Sequence, residues 1–138
     1  MNIPDSSAYE AELSSVIREH SEEPVDLLFV EDILSWCREH NGTCPGNPIA
    51  MAIRDGSSQR AGILMRRDLK PDQVRGVQDR LLVGGFEALA ERLVTPELFL
   101  EHLALHELAH LVNDWGQEAE EDCDDWAFRK MGWLPPAG

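Results

Sequence analysis

Basic residues are scarce in this chain of 138: lysine and arginine number 12 against 26 aspartates and glutamates, a formal net charge of -14. A surface that acidic repels phosphate backbones, which argues against a nucleic-acid partner. Cysteine is also sparse. Cys37, Cys44 and Cys123 are odd in number and lack paired spacing, so no disulfide framework is expected. Apolar runs are short. The longest, Val25 to Val30, is interrupted by Asp26, far from the roughly 20 apolar residues that span a bilayer. The opening Met1-Asn2-Ile3-Pro4-Asp5-Ser6 has no basic stretch followed by an apolar one, so a signal peptide is not expected either. These shortages together point to the cytoplasm and to no membrane partner.

What is present suits a single globular domain over residues 1–138, with an ordinary hydrophobic share of 43%. Capping residues followed by Leu13, Val16 and Ile17 on one face predict a helix over 5–20. Pro24 stands at the first turn of a second helical pattern, with Leu27, Leu28, Val30, Ile33, Leu34 and Cys37 at helical spacing and Asn41-Gly42 as its stop. A loop fills 42–48. The runs Ile49 to Arg54 and Ala61 to Arg66, around Asp55-Gly56-Ser57-Ser58, predict a β-hairpin. Lys70-Pro71-Asp72 opens a helical stretch towards Leu93, weakened by Gly84-Gly85. Thr95-Pro96-Glu97 combines a capping threonine, a proline at the first helical position and an acid at the positive end of the dipole. The helix it starts is expected to run from 96 to about 115 and close at Gly116, followed by a last helix over roughly 117–131 that ends at Gly132. The fold class is therefore α+β, mostly helical, with a short antiparallel sheet ahead of the helix at 96.

That helix carries His106-Glu107-Leu108-Ala109-His110. Residues four apart stand only about 40° from each other around the axis and one turn apart along it. Both imidazoles can then reach one Zn²⁺. Glu107 lies about 100° round from His106, placed to take a proton from a zinc-bound water whose acidity the metal has raised. Leu100, Ala104, Leu108, Leu111 and Trp115 gather opposite the histidines and are expected to anchor the helix by its back. The competing reading is a surface helix with two incidental histidines. Two histidines and a water leave one protein ligand to find. The acidic run after the motif supplies Glu120 and Asp124, spaced Glu-x-x-x-Asp. The natural division sets Glu120 on the metal and Asp124 on the far nitrogen of a ligand histidine. A depth estimate for two straight helices turning at Gly116 instead brings Asp124 level with the metal, and Glu121 and Asp125 offer the same spacing one residue on.

His-Glu-Leu-Ala-His followed by Glu-x-x-x-Asp resembles the gluzincin metallopeptidases. The stretch Glu120-Glu-Asp-Cys-Asp124-Asp-Trp126-Ala127 is similar to the Glu-x-x-Ala-Asn/Asp-x-Phe-Ala signature of ImmA/IrrE-type peptidases, and the minigluzincins are a related comparison. The resemblance covers about residues 98–128. Cys123 stands where that group has alanine and Trp126 where it has phenylalanine. It implies a small zincin-like domain that hydrolyses peptide bonds in a protein or peptide substrate. His106, His110 and Glu120 would be the zinc ligands, Glu107 the catalytic base and Asp124 the supporting residue. The 49–66 hairpin would offer an edge to an extended peptide. The alternatives are a non-catalytic zinc-binding interaction module that keeps the zincin fold, and an acidic helical adaptor without metal.

Other chemistry-bearing residues have plainer readings. His102, one turn before His106, could polarise a substrate carbonyl, but exposure is the more ordinary expectation. His20 and His40 suit helix C-termini. Cys44 invites comparison with thiolates that block a catalytic zinc in latent proteases, and Cys123 would face the metal only if the last helix were rotated. Trp36, Trp115, Trp126 and Trp133 are expected in the core.

Overall fold

The computed structural model describes residues 1–40, 42 and 46–136. In chain order these form α1 (Glu10–His20, entered by a 3-10 turn at Ser6–Tyr9), β1 (Val25–Val30), α2 (Ile33–Glu39), β2 (Ala50–Arg54) and β3 (Ala61–Arg66). The helices α3 (Pro71–Val83), α4 (Glu87–Ala90) and α5 (Pro96–Val112) follow, then a 3-10 turn at Gln117–Ala119 and α6 (Glu120–Lys130). The class is α+β, as the periodicities predict. No helix among the described residues is long and apolar enough to cross a membrane.

The sheet runs β1-β3-β2 and is mixed, where a purely antiparallel one was expected. The 49–66 hairpin is there: β2 pairs antiparallel with β3, Ala52 opposite Ile63. The third strand is the correction. Residues 25–30, read as the front of a helix from Pro24 to Cys37, form β1, parallel to β3 with Val25 opposite Ala61 and Val30 opposite Arg66. A six-residue apolar run satisfies either periodicity, and the β-branched and aromatic Val25, Phe29 and Val30 tip it towards extended backbone beside an existing strand. Asp32 then caps a separate helix, α2.

Alternation along β3 divides the interior. Ile63 and Met65 join the main core with Leu13 and Ile17 of α1 and with α5, while Leu64 turns to Ile33 and Cys37 of α2 on the other face. The helical stretch expected from 71 towards Leu93 is instead broken at the diglycine into α3 and α4. Gly85 takes a left-handed φ of 90° and Phe86 N–H closes back on the Leu81 carbonyl at 2.8 Å, a geometry open to glycine at no steric cost.

The helix with both histidines begins as read: Thr95 accepts from Leu98 N–H at 3.2 Å and Pro96 opens the first turn. It is not anchored by one side only. Phe99, Leu103, Leu105 and Ala109 are buried along with Leu100, Ala104 and Leu108, so α5 passes through the middle of the molecule. It stops at Val112, short of the expected 115. Asp114, with φ 53°, makes the left-handed turn that had been given to Gly116, and aspartate is among the few residues that visit that region. Trp115 consequently leaves the helix back and lines the cleft beside the histidines.

Candidate metal centre

The short connection at 113–116 folds α6 back along α5. Residues spaced three and four apart on α6, namely Glu120, Cys123, Asp124, Ala127 and Phe128, turn towards it. Helix α6 starts at Glu120, one turn later than a tight reversal at Gly116 would give. This sets Glu120, and not Asp124, level with the pair of imidazoles. The other two candidates turn away: Glu121 is exposed, and Asp125 binds Arg129 at 2.7 and 3.2 Å.

Each imidazole is held by one nitrogen and offers the other. His106 Nδ1–H donates to Asp124 Oδ1 at 2.7 Å, and His110 Nδ1–H donates to the Trp115 carbonyl at 2.9 Å. The two Nε2 atoms face the same carboxylate, Glu120, whose oxygens stand 2.7 Å from His106 and 3.4 Å from His110. One ligand atom from each of His106, His110 and Cys123 lies within 4.8 Å of the others. Cys123 is fully buried. Two imidazoles with a buried thiol close to both, and the Glu120 carboxylate against the same two rings, offer donors suited to a divalent transition-metal ion, zinc among them.

Charge follows that geometry. Burial disfavours the His106 cation, but its bonds to Asp124 and Glu120 outweigh this and carry its pKa up to about 10. The adjoining Cys123, then Glu120 and the Trp115 carbonyl, raise His110 to about 11. The two imidazoles in turn hold the Glu120 carboxyl well below the usual range. Without a cation, protons on Nε2 do the neutralising, and those are the positions a metal would take. Burial tends to raise Asp124, but its bond to His106 and the positive neighbours prevail and its pKa is lowered.

Glu107 projects round the helix towards the sheet. Its Oε1 accepts from Ala52 N–H at 3.1 Å and its Oε2 is 3.9 Å from His106 Nε2. Desolvation raises its pKa. Ala52 lies on the free edge of the sheet. Arg66 N–H donates to the Ile49 carbonyl at 2.8 Å and Asp55 N–H to the Arg60 carbonyl at 2.9 Å. Odd-numbered residues of this strand therefore face β3, and the backbone groups of Ala50, Ala52 and Arg54 point outward. Between that edge and α5 runs a cleft of about 590 Å³, with His106, Glu107, His110 and Glu120 in its wall.

Several participants were invisible or misjudged in the sequence. Arg80, from α3, donates to Asp124 Oδ1 at 3.0 Å, and nothing local to it signals that role. The Trp115 carbonyl is a backbone group. Cys123, expected to face the metal only with the last helix rotated, does lie beside both histidines, and its position three residues after Glu120 on one helix is the signal that could have placed it. His102 is a correction: it is 1% exposed, its ring tilted at 34° against Phe128 with centroids 4.4 Å apart, and its Nε2 is 3.5 Å from Asp124 Oδ1. Neither ring nitrogen has a hydrogen-bond partner among the described residues. Desolvation lowers its pKa to about 3, so it is neutral. His40 behaves as read, Nδ1–H donating to the Trp36 carbonyl at 2.8 Å at the end of α2. Cys44 lies outside the described residues. In comparisons with known proteins, no family model, no curated protein and no solved structure matches the chain.

Proposed function

We propose that this protein is a zinc-dependent metallopeptidase that hydrolyses a peptide bond in an extended protein or peptide substrate. One observation carries the reading. Two histidine Nε2 atoms converge on the Glu120 carboxylate, and the buried carboxylate of Glu107 stands beside them at the mouth of a cleft. His106, His110 and Glu120 would hold the ion. Zinc, when bound, would polarise the scissile carbonyl and acidify a water molecule.

The chain's own residues do the rest. Glu107 accepts a proton from the attacking water and hands it to the departing amine; its raised pKa brings it closer to the pH at which such a shuttle works. Asp124 and the Trp115 carbonyl fix the tautomer of each histidine, leaving Nε2 as the donor atom. The outward N–H and C=O groups of Ala50 and Arg54 and the C=O of Ala52, whose N–H is taken by Glu107, can pair with an extended peptide, as edge strands do. The small side chains of Ala50 and Ala52 leave the approach open. The thiols of Cys37 and Cys123, both buried, and the absence of a membrane-spanning helix among the described residues agree with work in the cytoplasm.

Metal analysis of the purified protein, paired with cleavage of a mixture of unstructured peptides read by mass spectrometry, tests this. The parent should carry about one equivalent of zinc and cleave. Glu107→Gln should keep the zinc and lose cleavage by about 100-fold or more. Zinc without cleavage in both proteins would favour the binding module, and no zinc in either would remove the reading.

A further inference from the structure

Cys123 has no part in that mechanism, yet it is the most buried of the donor atoms' owners. It is 0% exposed, whereas Glu120 is half-buried, and it sits one turn after Glu120 on the same face of α6. Its thiol lies against His110, and one ligand atom of each of His106, His110 and Cys123 falls within 4.8 Å of the others. Donors bound to one tetrahedral zinc at about 2.1 and 2.3 Å are roughly 3.6 Å apart. Closing the difference takes at most about 1.2 Å, within reach of small torsions of these side chains. Glu120 reaches the same two imidazoles from the neighbouring turn.

We propose that Cys123 is a fourth protein ligand, so that the resting ion is enclosed by His106, His110, Glu120 and Cys123 and the parent is partly latent, cleaving only while the thiolate is away from the ion. This rests on the zinc-peptidase reading and gives it a regulatory state. Four protein donors fill a tetrahedral zinc ion and leave no position for water, which is how structural sites are built. Glu107 then has no proton to accept. Departure of the sulfur frees one position on the ion while the two histidines keep their supporting bonds to Asp124 and Trp115. A thiolate also biases the site towards zinc over magnesium or calcium, which prefer oxygen.

Cobalt(II) in place of zinc reports the ligand directly. The parent loaded with Co²⁺ should show a near-ultraviolet sulfur-to-cobalt charge-transfer band together with intense tetrahedral visible bands. Cys123→Ala and Cys123→Ser, the second keeping the side-chain volume, should bind Co²⁺ at least about tenfold more weakly, lack the sulfur band, and cleave unstructured peptides faster than the parent when loaded with zinc. Cobalt bound to the parent without a sulfur band would overturn the role of Cys123 and leave the peptidase reading standing. A parent that binds neither cobalt nor zinc would overturn both. A sulfur band in the parent with equal cleavage by all three proteins would overturn latency.

Discussion

His106 and Asp124 meet at 2.7 Å in the interior, Nδ1 to Oδ1, each about 2% exposed at the side chain. The same carboxylate oxygen accepts from Arg80 of α3, so three helices converge on one acceptor. Asp124→Asn keeps the shape and removes the charge. The amide cannot hold His106 in the Nδ1–H form as strongly, and Arg80 loses its counter-ion. Zinc affinity, from competition with a chelator, should fall by about 10–100-fold. Unfolding in urea of the metal-free protein should show a loss of about 1–3 kcal/mol. Unchanged zinc affinity would mean that Asp124 serves packing only.

The two imidazoles give the metal-free protein an unusual pH profile. His106 and His110 have folded pKa values of about 10 and 11 against an ordinary 6.5, so the stability they contribute is fully present below 6.5 and is lost as pH rises through the folded values. Glu120 is shifted the other way from 4.5, so its contribution is present above 4.5 and lost as pH falls below it. With chelator present, the melting temperature should therefore be highest between about pH 4.5 and 6.5 and decline on the alkaline side. With zinc the slope above 6.5 should reverse, because the ion competes with protons for Nε2. Parallel curves with and without zinc would show that these nitrogens are not metal donors.

How far the sequence could be read depended on whether the information was local. The start of α5 was legible because Thr95 and Pro96 act within one turn, and the pairing of His106 with His110 because four residues of helix fix it. Glu120 and Asp124 were legible as a pair by the same rule, but their depth along α5 was not. That depth depends on where the intervening turn ends, and Asp114, not Gly116, adopted the left-handed backbone. β1 was misread because Leu27, Leu28, Val30 and Ile33 mimic helical spacing, while the strand partner that decides the matter, β3, lies more than thirty residues on. The surroundings of His102 and the reach of Arg80 depend on how layers stack around α5, which no local pattern encodes.

His102 illustrates the cost of that burial. Its two ring nitrogens are enclosed without hydrogen-bond partners among the described residues, and its ring lies tilted against Phe128. Leaving buried polar atoms unpaired is costly, and an apolar side chain of similar size removes that cost. His102→Leu should unfold at the same urea concentration or a higher one, by up to about 1 kcal/mol, and keep its zinc. His102→Ala should instead lose about 2–3 kcal/mol through the cavity it leaves. A His102→Leu variant that folds normally but loses zinc or cleavage would show that the 3.5 Å approach of His102 to Asp124 supports the site.

The bond from Ala52 to Glu107 separates the base from the metal ligands. Ala52 N–H points away from β3 and donates to Glu107 Oε1 at 3.1 Å. Proline tolerates an outward-facing position on an edge strand because no ladder bond is lost there. Ala52→Pro should therefore keep the sheet, by circular dichroism, and bind zinc like the parent. It should lose cleavage, because Glu107 is no longer held beside His106 Nε2. A drop of about tenfold or more is expected, on the scale that misplacing a catalytic group by about 1 Å produces. Full cleavage by a correctly folded Ala52→Pro would show that the Glu107 tether takes no part in catalysis.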